Sequence, residues 1–211
     1  VARAPLNKRR LLGIDRSGGP PPETTKGQPL RPWTVPNAIS YVRLLLLPVF
    51  LVVAFSSDDG RGLGIALLYW AIAIGDQLDG LAARLTGQYS RLGALLDPLT
   101  DRALVLAGVI VCWHFELLPR WALAILIARE LLMLVFTQVA LKAGMDLNIN
   151  MVGRWAVWPV MFAIFLTLWV ETPIAEASLY LGIVLTLWAT AIYLVDGVRF
   201  LQARHRPSSS T

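Results

Sequence analysis

The chain has 211 residues, of which 56% are hydrophobic and only 16% charged, with a formal net charge of +5. That is one domain's length of chain, and it is too apolar for a water-soluble fold. It predicts an all-α integral membrane protein and argues against reading the positive charge as a nucleic-acid surface.

Residues 1–35 carry seven Lys or Arg against two acidic residues, among frequent Gly, Pro, Ser and Thr. Residues 1–32 therefore read as a flexible basic tail on the cytosolic side. They contain no apolar core followed by a small-residue cleavage site, so a secretory signal is not expected. Residues 33–40, WTVPNAIS, combine an interfacial Trp with a proline at a helix start. They predict a short N-terminal interfacial segment ahead of the first span.

Six apolar runs follow, near 38–56, 63–85, 93–115, 121–142, 153–170 and 177–201. Each is about 20 residues, the length that crosses a bilayer hydrocarbon core. The expected architecture is six transmembrane helices in a domain over 33–203, with a cytosolic tail at 204–211. Arg43 lies in the first run, placed either to snorkel to the surface or to face the protein interior. Pro48 in the same run is expected to kink or loosen that helix. Cys112 sits inside the third run and implies neither a disulfide nor a metal site. Arg129 and Glu130 lie within the fourth run, where charge is costly unless paired, so an ion pair with another helix is expected. The fifth run opens MVGRWAVWPV, with Arg154 at its start.

The basic tail, Arg84, Arg91, Lys142, Arg154, Arg199, Arg204 and Arg206 fall at one set of helix ends. Arg61 and Arg120 stand at the other with Asp58, Asp59, Glu116, Glu171 and Glu176. The positive-inside rule puts both termini in the cytosol, consistent with an even number of spans in the cell (inner) membrane. The net charge is then mostly a topology signal, with some attraction for anionic lipid.

Residues 75–102, GDQLDGLAARLTGQYSRLGALLDPLTDR, place four carboxylates within 26 residues at two helix ends. Asp76 and Asp79 are three apart and share one helix face; Asp97 and Asp101 are four apart and share another. A short loop with Gly87 and Ser90 lets the two pairs converge. Four close carboxylates cannot all ionise without compensation. Oxygen-only ligands with no His or Cys nearby favour a hard divalent ion, Mg²⁺ or Mn²⁺, and four carboxylates suffice for two ions acting on a phosphate. Gly80, Ala83 and Gly93 lie on or beside the carboxylate faces. Small residues in membrane helices also serve close helix packing, but beside the acids a nucleotide pocket is the better reading. Arg84 is suited to a phosphate, although topology alone explains a basic residue there.

The spacing Asp76-x2-Asp79-Gly80-x2-Ala83-Arg84-x8-Gly93-x3-Asp97-x3-Asp101 resembles the signature of the CDP-alcohol phosphatidyltransferases, with all eight positions filled. The resemblance extends to VPNAISYVRLLLLP and LGALLDPLTDR. It implies a six-helix homodimeric enzyme that transfers a phosphatidyl group from CDP-diacylglycerol to an alcohol and releases CMP. By position, Asp76, Asp79 and Asp97 would hold the metals, and Asp101 would complete the second metal site and act as general base. Asp79, Gly80, Ala83, Arg84 and Gly93 would bind the CDP group.

Within the family, TVPNAISYVRLLLLPVF, LGALLDPLTDR and IARELL look most like the branch of phosphatidylglycerophosphate synthases and cardiolipin synthases. The former use glycerol 3-phosphate and carry a Gly-Lys-x-Lys-Thr-x-x-Gln stretch opening the fifth span. This chain departs from it with Gly153, Arg154, Trp155, Ala156, Val157, Trp158 and Pro159. The departure favours a lipid acceptor such as phosphatidylglycerol. Arg43, Arg129 and Arg154 remain candidates for binding the phosphate of either acceptor, and overall resemblance ranks glycerol 3-phosphate slightly ahead. The alternative from another class is a six-span cation transporter. Its site is expected near the midplane, on broken helices, whereas these acids lie toward one surface.

Overall fold

The computed structural model describes residues 29–142 and 151–205, with side chains described at 29–139 and 156–198. Most of the basic tail expected at 1–32, the last residues of the tail expected at 204–211, and the side chain of Arg154 lie outside the described residues. The described chain is all-α. Its helices are α1 (Val35–Phe55), α2 (Leu63–Thr86), α3 (Arg91–His114), α4 (Arg120–Lys142), α5 (Met151–Trp169) and α6 (Pro173–His205).

Each helix falls on one of the six apolar runs, and the differences are at the ends. The Thr34 hydroxyl caps α1 by accepting from the Asn37 N–H, and Pro36 sits in the first turn, where no intrahelical donor is missed. Residues 35–40 are thus the first turns of α1, continuous with the first apolar run. Trp33, just ahead of the cap, is 91% exposed. α6 starts four residues earlier than expected, because Thr172 accepts from the N–H groups of Ile174 and Ala175.

Among the described residues, four helices are long and apolar enough to cross a membrane: Val35–Phe55, Leu63–Thr86, Arg120–Val139 and Pro173–Val198. α3 differs because Asp97, Asp101 and Arg102 interrupt its first half, and the described apolar part of α5, Ala156–Trp169, is shorter. Large apolar side chains cover the outer faces. Val42, Leu45, Val49 and Val52 of α1, and Leu181, Val184 and Trp188 of α6, are all exposed. Water would select polar residues at those positions; lipid does not.

The chain forms two compact units. The first comprises α1, α2 and α3 up to Gly108. Leu47, Phe50 and Ala54 recur at helical spacing on α1 and are buried, as are Ile65, Ala66, Tyr69, Ile72 and Ala73 of α2. The Phe50 and Tyr69 rings pack 5.5 Å apart. α2 ends at Gly87, whose φ of +64° is the left-handed conformation that stops a helix without side-chain strain. Ser90 then accepts from the Gly93 N–H and starts α3.

The second unit comprises the rest of α3 with α4, α5 and α6. α5 and α6 approach closely at Gly182, where a Cβ would stand 2.5 Å from Val160 Cγ2. Ala163, Ile164, Leu168 and Leu179 are fully buried.

Candidate active site

α1 carries three polar residues on an otherwise apolar helix: Asn37, Ser40 and Arg43, at 0%, 1% and 2% exposure. Spaced three apart, they form one buried stripe, and it faces the acids of α2 and α3.

Arg43 is the centre of the site. Its Nη1 donates to Asp79 Oδ2 at 3.1 Å and lies 3.5 Å from Asp76 Oδ1, while its Nη2 donates to Asp101 Oδ1 at 2.8 Å. Its Nε donates to the Ile72 carbonyl at 2.9 Å. The stem lies over Gly75, where a Cβ would stand 2.6 Å from Arg43 Cδ, so a side chain at 75 would push the guanidinium away. Of the two placements open to Arg43, the interior one is observed.

Ser40 reaches the fourth carboxylate. Its Oγ lies 3.4 Å from Asp79 Oδ2 and 3.3 Å from Asp97 Oδ1, at the long end of hydrogen bonding, and its single proton serves one of them at a time. The two pairs of acids, separated by a loop in the chain, therefore come together around two α1 side chains. Asp79 is buried, whereas the side chains of Asp76 and Asp101 are 31% and 43% exposed.

Asn37 fixes the approach to this cluster. Its Nδ2 donates to the carbonyls of Arg31 and Pro32, and its Oδ1 accepts from Ser90 Oγ at 2.8 Å. Gln88 Oε1 accepts from the Val35 N–H. The segment before α1 and the loop after α2 are thereby stapled together.

The small residues have different neighbours. A Cβ on Gly80 would meet the Arg84 guanidinium, with Nη2 at 3.6 Å and Cζ at 4.0 Å. One on Gly93 would stand 2.7 Å from Asn37 Oδ1, so the room at Gly93 is taken by Asn37. Ala83 and Arg84 are partly exposed, and Arg84 Nε is buried with no hydrogen-bond partner among the described residues.

The remaining candidate arginines belong to the second unit. Arg129 Nη1 pairs with Glu130, its neighbour on α4, and its Nε donates to Thr190 Oγ1 of α6 at 3.0 Å. Among the described residues, the bond that Arg129 makes to another helix is thus to a hydroxyl. Arg154 lies in the first turn of α5.

Asn37, Ser40 and Gly75 were not anticipated as site residues. The signal was present in VPNAISYVR, whose polar positions at 37, 40 and 43 share a helix face, and in the glycine directly before Asp76.

As they stand, no three His, Cys, Asp or Glu among the described residues close into a metal-ligand set. The carboxylates are instead drawn to Arg43. Yet the donor set fits a hard divalent cation: it is all oxygen, it comes from two helices, and four formal negative charges face one guanidinium.

Helices with lipid-compatible outer faces, carrying this acid constellation at the ends of two of them, define a membrane transferase of the CDP-alcohol class. The CDP-alcohol phosphatidyltransferase family model matches residues 33–188, and the chain belongs to that family. The resemblance drawn from the aspartate motif is borne out.

Among its relatives, a Streptomyces coelicolor protein named cardiolipin synthase (CMP-forming) is 33% identical, over 90% of this chain and 93% of its own length. A Mycobacterium tuberculosis protein provisionally named a cardiolipin synthase is 35% identical, over 77% of this chain and 82% of its own. The Bacillus subtilis CDP-diacylglycerol–glycerol-3-phosphate 3-phosphatidyltransferase is 27% identical, over 73% of this chain and 90% of its own.

Proposed function

We propose that the protein transfers the phosphatidyl group of CDP-diacylglycerol to the free hydroxyl of phosphatidylglycerol, forming cardiolipin and CMP. The observation that carries the chemistry is the convergence of Asp76, Asp79, Asp97 and Asp101 on Arg43 and Ser40. The acceptor is supported by relatives named cardiolipin synthase at 33–35% identity, against 27–30% for those named for glycerol 3-phosphate. The loss of the second basic residue opening α5 points the same way.

Asp76, Asp79, Asp97 and Asp101 would hold one or two Mg²⁺ or Mn²⁺ ions. When bound, such ions neutralise the diphosphate and stabilise charge on the departing phosphate. Asp101 is the base: Arg43 engages its Oδ1, leaving Oδ2 to take the acceptor's proton, and its exposure suits it to meet a substrate. The acceptor oxygen bonds to the phosphorus of the phosphatidyl group, the bond from that phosphorus to the CMP oxygen breaks, and the hydroxyl proton passes to Asp101. Arg84, with an unpartnered Nε and its Nη2 beside Gly80, binds the diphosphate, and Gly80 and Ala83 give the nucleotide access. Gly93 contributes by admitting Asn37.

The wider frame belongs to the same reading: six spans, both termini and the site on the cytosolic face, and a homodimer. Glycerol 3-phosphate is the second reading for the acceptor, favoured by Arg154 at the start of α5. Purified protein with Mg²⁺ and CDP-diacylglycerol, offered each acceptor separately, tests the choice. CMP release with phosphatidylglycerol alone supports cardiolipin synthesis, and release with glycerol 3-phosphate alone overturns it in favour of the second reading.

A further inference from the structure

The acids of this site come from two helices joined by a loop, and their mutual repulsion acts to drive those helix ends apart whenever no metal is bound. The structure answers that repulsion from a third helix. The Arg43 guanidinium touches carboxylates of both acidic helices, at 3.1 Å to Asp79, 3.5 Å to Asp76 and 2.8 Å to Asp101. It is held in place from behind by the Ile72 carbonyl and by the space over Gly75. With only 2% of its side chain exposed, it is not a mobile surface charge. Its contacts use oxygens of three of the four acids, so a cation held by those acids would compete for the same groups.

We infer that Arg43 is a built-in counter-cation, a positioning residue that keeps the acid cluster assembled in the metal-free enzyme and yields carboxylate contacts to the divalent ion on loading. This rests on the reading of the cluster as the metal site. Arg43 thus acts on the carboxylates rather than as part of an anion site for the acceptor. Ser40, one helical turn away, does the smaller part of the work at Asp97. The charge balance sets the sign of the effect. Removing the guanidinium leaves the acids more negative and without a competitor, so a divalent ion binds more tightly, while the metal-free protein becomes less stable.

The test is Mn²⁺ binding and thermal unfolding of the full chain in detergent, for the wild type, Arg43→Gln and Arg43→Lys. Arg43→Gln is expected to bind Mn²⁺ about tenfold more tightly or better. Its metal-free melting midpoint is expected to fall by at least about 5 °C and to recover most of that with Mn²⁺. Arg43→Lys keeps the charge but not the fork, so its Mn²⁺ affinity should stay near wild type, with a midpoint between the other two. Unchanged or weaker Mn²⁺ binding in Arg43→Gln, with the wild type binding normally, overturns the counter-cation role and leaves the metal site standing. Absence of Mn²⁺ binding in the wild type overturns both. If Arg43→Gln is not recovered, Arg43→Lys decides alone: a lowered metal-free midpoint with near-wild-type affinity supports the role, and an unchanged midpoint overturns it.

Discussion

Arg43 Nη2 donates to Asp101 Oδ1 at 2.8 Å, tying the first helix to the third across 58 positions of sequence. The bond uses one oxygen of the carboxylate assigned as base and leaves the other free to work. Asp101→Asn keeps the shape of the side chain and an oxygen for Arg43 but cannot take a proton. CMP release is expected to fall by about 10²–10⁴-fold, while the protein still inserts and purifies as the wild type does. Turnover within a few fold of wild type would remove Asp101 from the base role.

The guanidinium is placed by a glycine. Gly75→Ala puts a methyl 2.6 Å from Arg43 Cδ and 2.8 Å from its Cγ, and the arginine stem must move. A loss of about 1–3 kcal/mol in unfolding free energy is expected, as for other overpacked sites, with reduced CMP release. Thermal unfolding and the CMP assay on the same preparation check both.

Asn37→Ala removes an amide that donates to two carbonyls and accepts from Ser90, all at a fully buried position. The cost is expected to be about 1–3 kcal/mol. The segment at 30–35 should come loose from the loop at 87–90, read as faster amide hydrogen exchange at Val35 and Gly93 than in the wild type.

Arg84→Ala deletes the cation assigned to the diphosphate. A charge-assisted contact of about 1.5–3 kcal/mol predicts a KM for CDP-diacylglycerol raised by about 10-fold or more. The KM for the acceptor should stay near its wild-type value. A rise confined to the acceptor's KM would move Arg84 to the other substrate.

Much of the fold could be read from the chain, because the outward faces answer to lipid and the apolar runs are bounded by charge. The helix starts were harder. Thr34 and Thr172 set the beginnings of α1 and α6 through single side-chain contacts, and hydropathy does not register a cap. The acids were legible because four carboxylates in an apolar stretch demand a reason, and their spacing matches a family signature. Their cation was not, because Arg43 lies 33 positions from Asp76, and only folding shows which helix supplies the compensating charge. Gly93 shows the same gap: the sequence reveals a missing side chain, and the structure reveals that Asn37 fills the room. For Arg129 the need for a partner was plain, but Thr190 and the adjacent Glu130 share the task.

The most direct test of the central claim is the balance of products made by the purified protein from CDP-diacylglycerol and phosphatidylglycerol, with Mg²⁺ present and again after chelation. The expected result is CMP and cardiolipin in equal amounts with the ion, neither after chelation, and both lowered by about 10²–10⁴-fold in Asp101→Asn. Undiminished product formation after complete removal of divalent metal, or no CMP with phosphatidylglycerol from a folded, metal-bound protein, would contradict it.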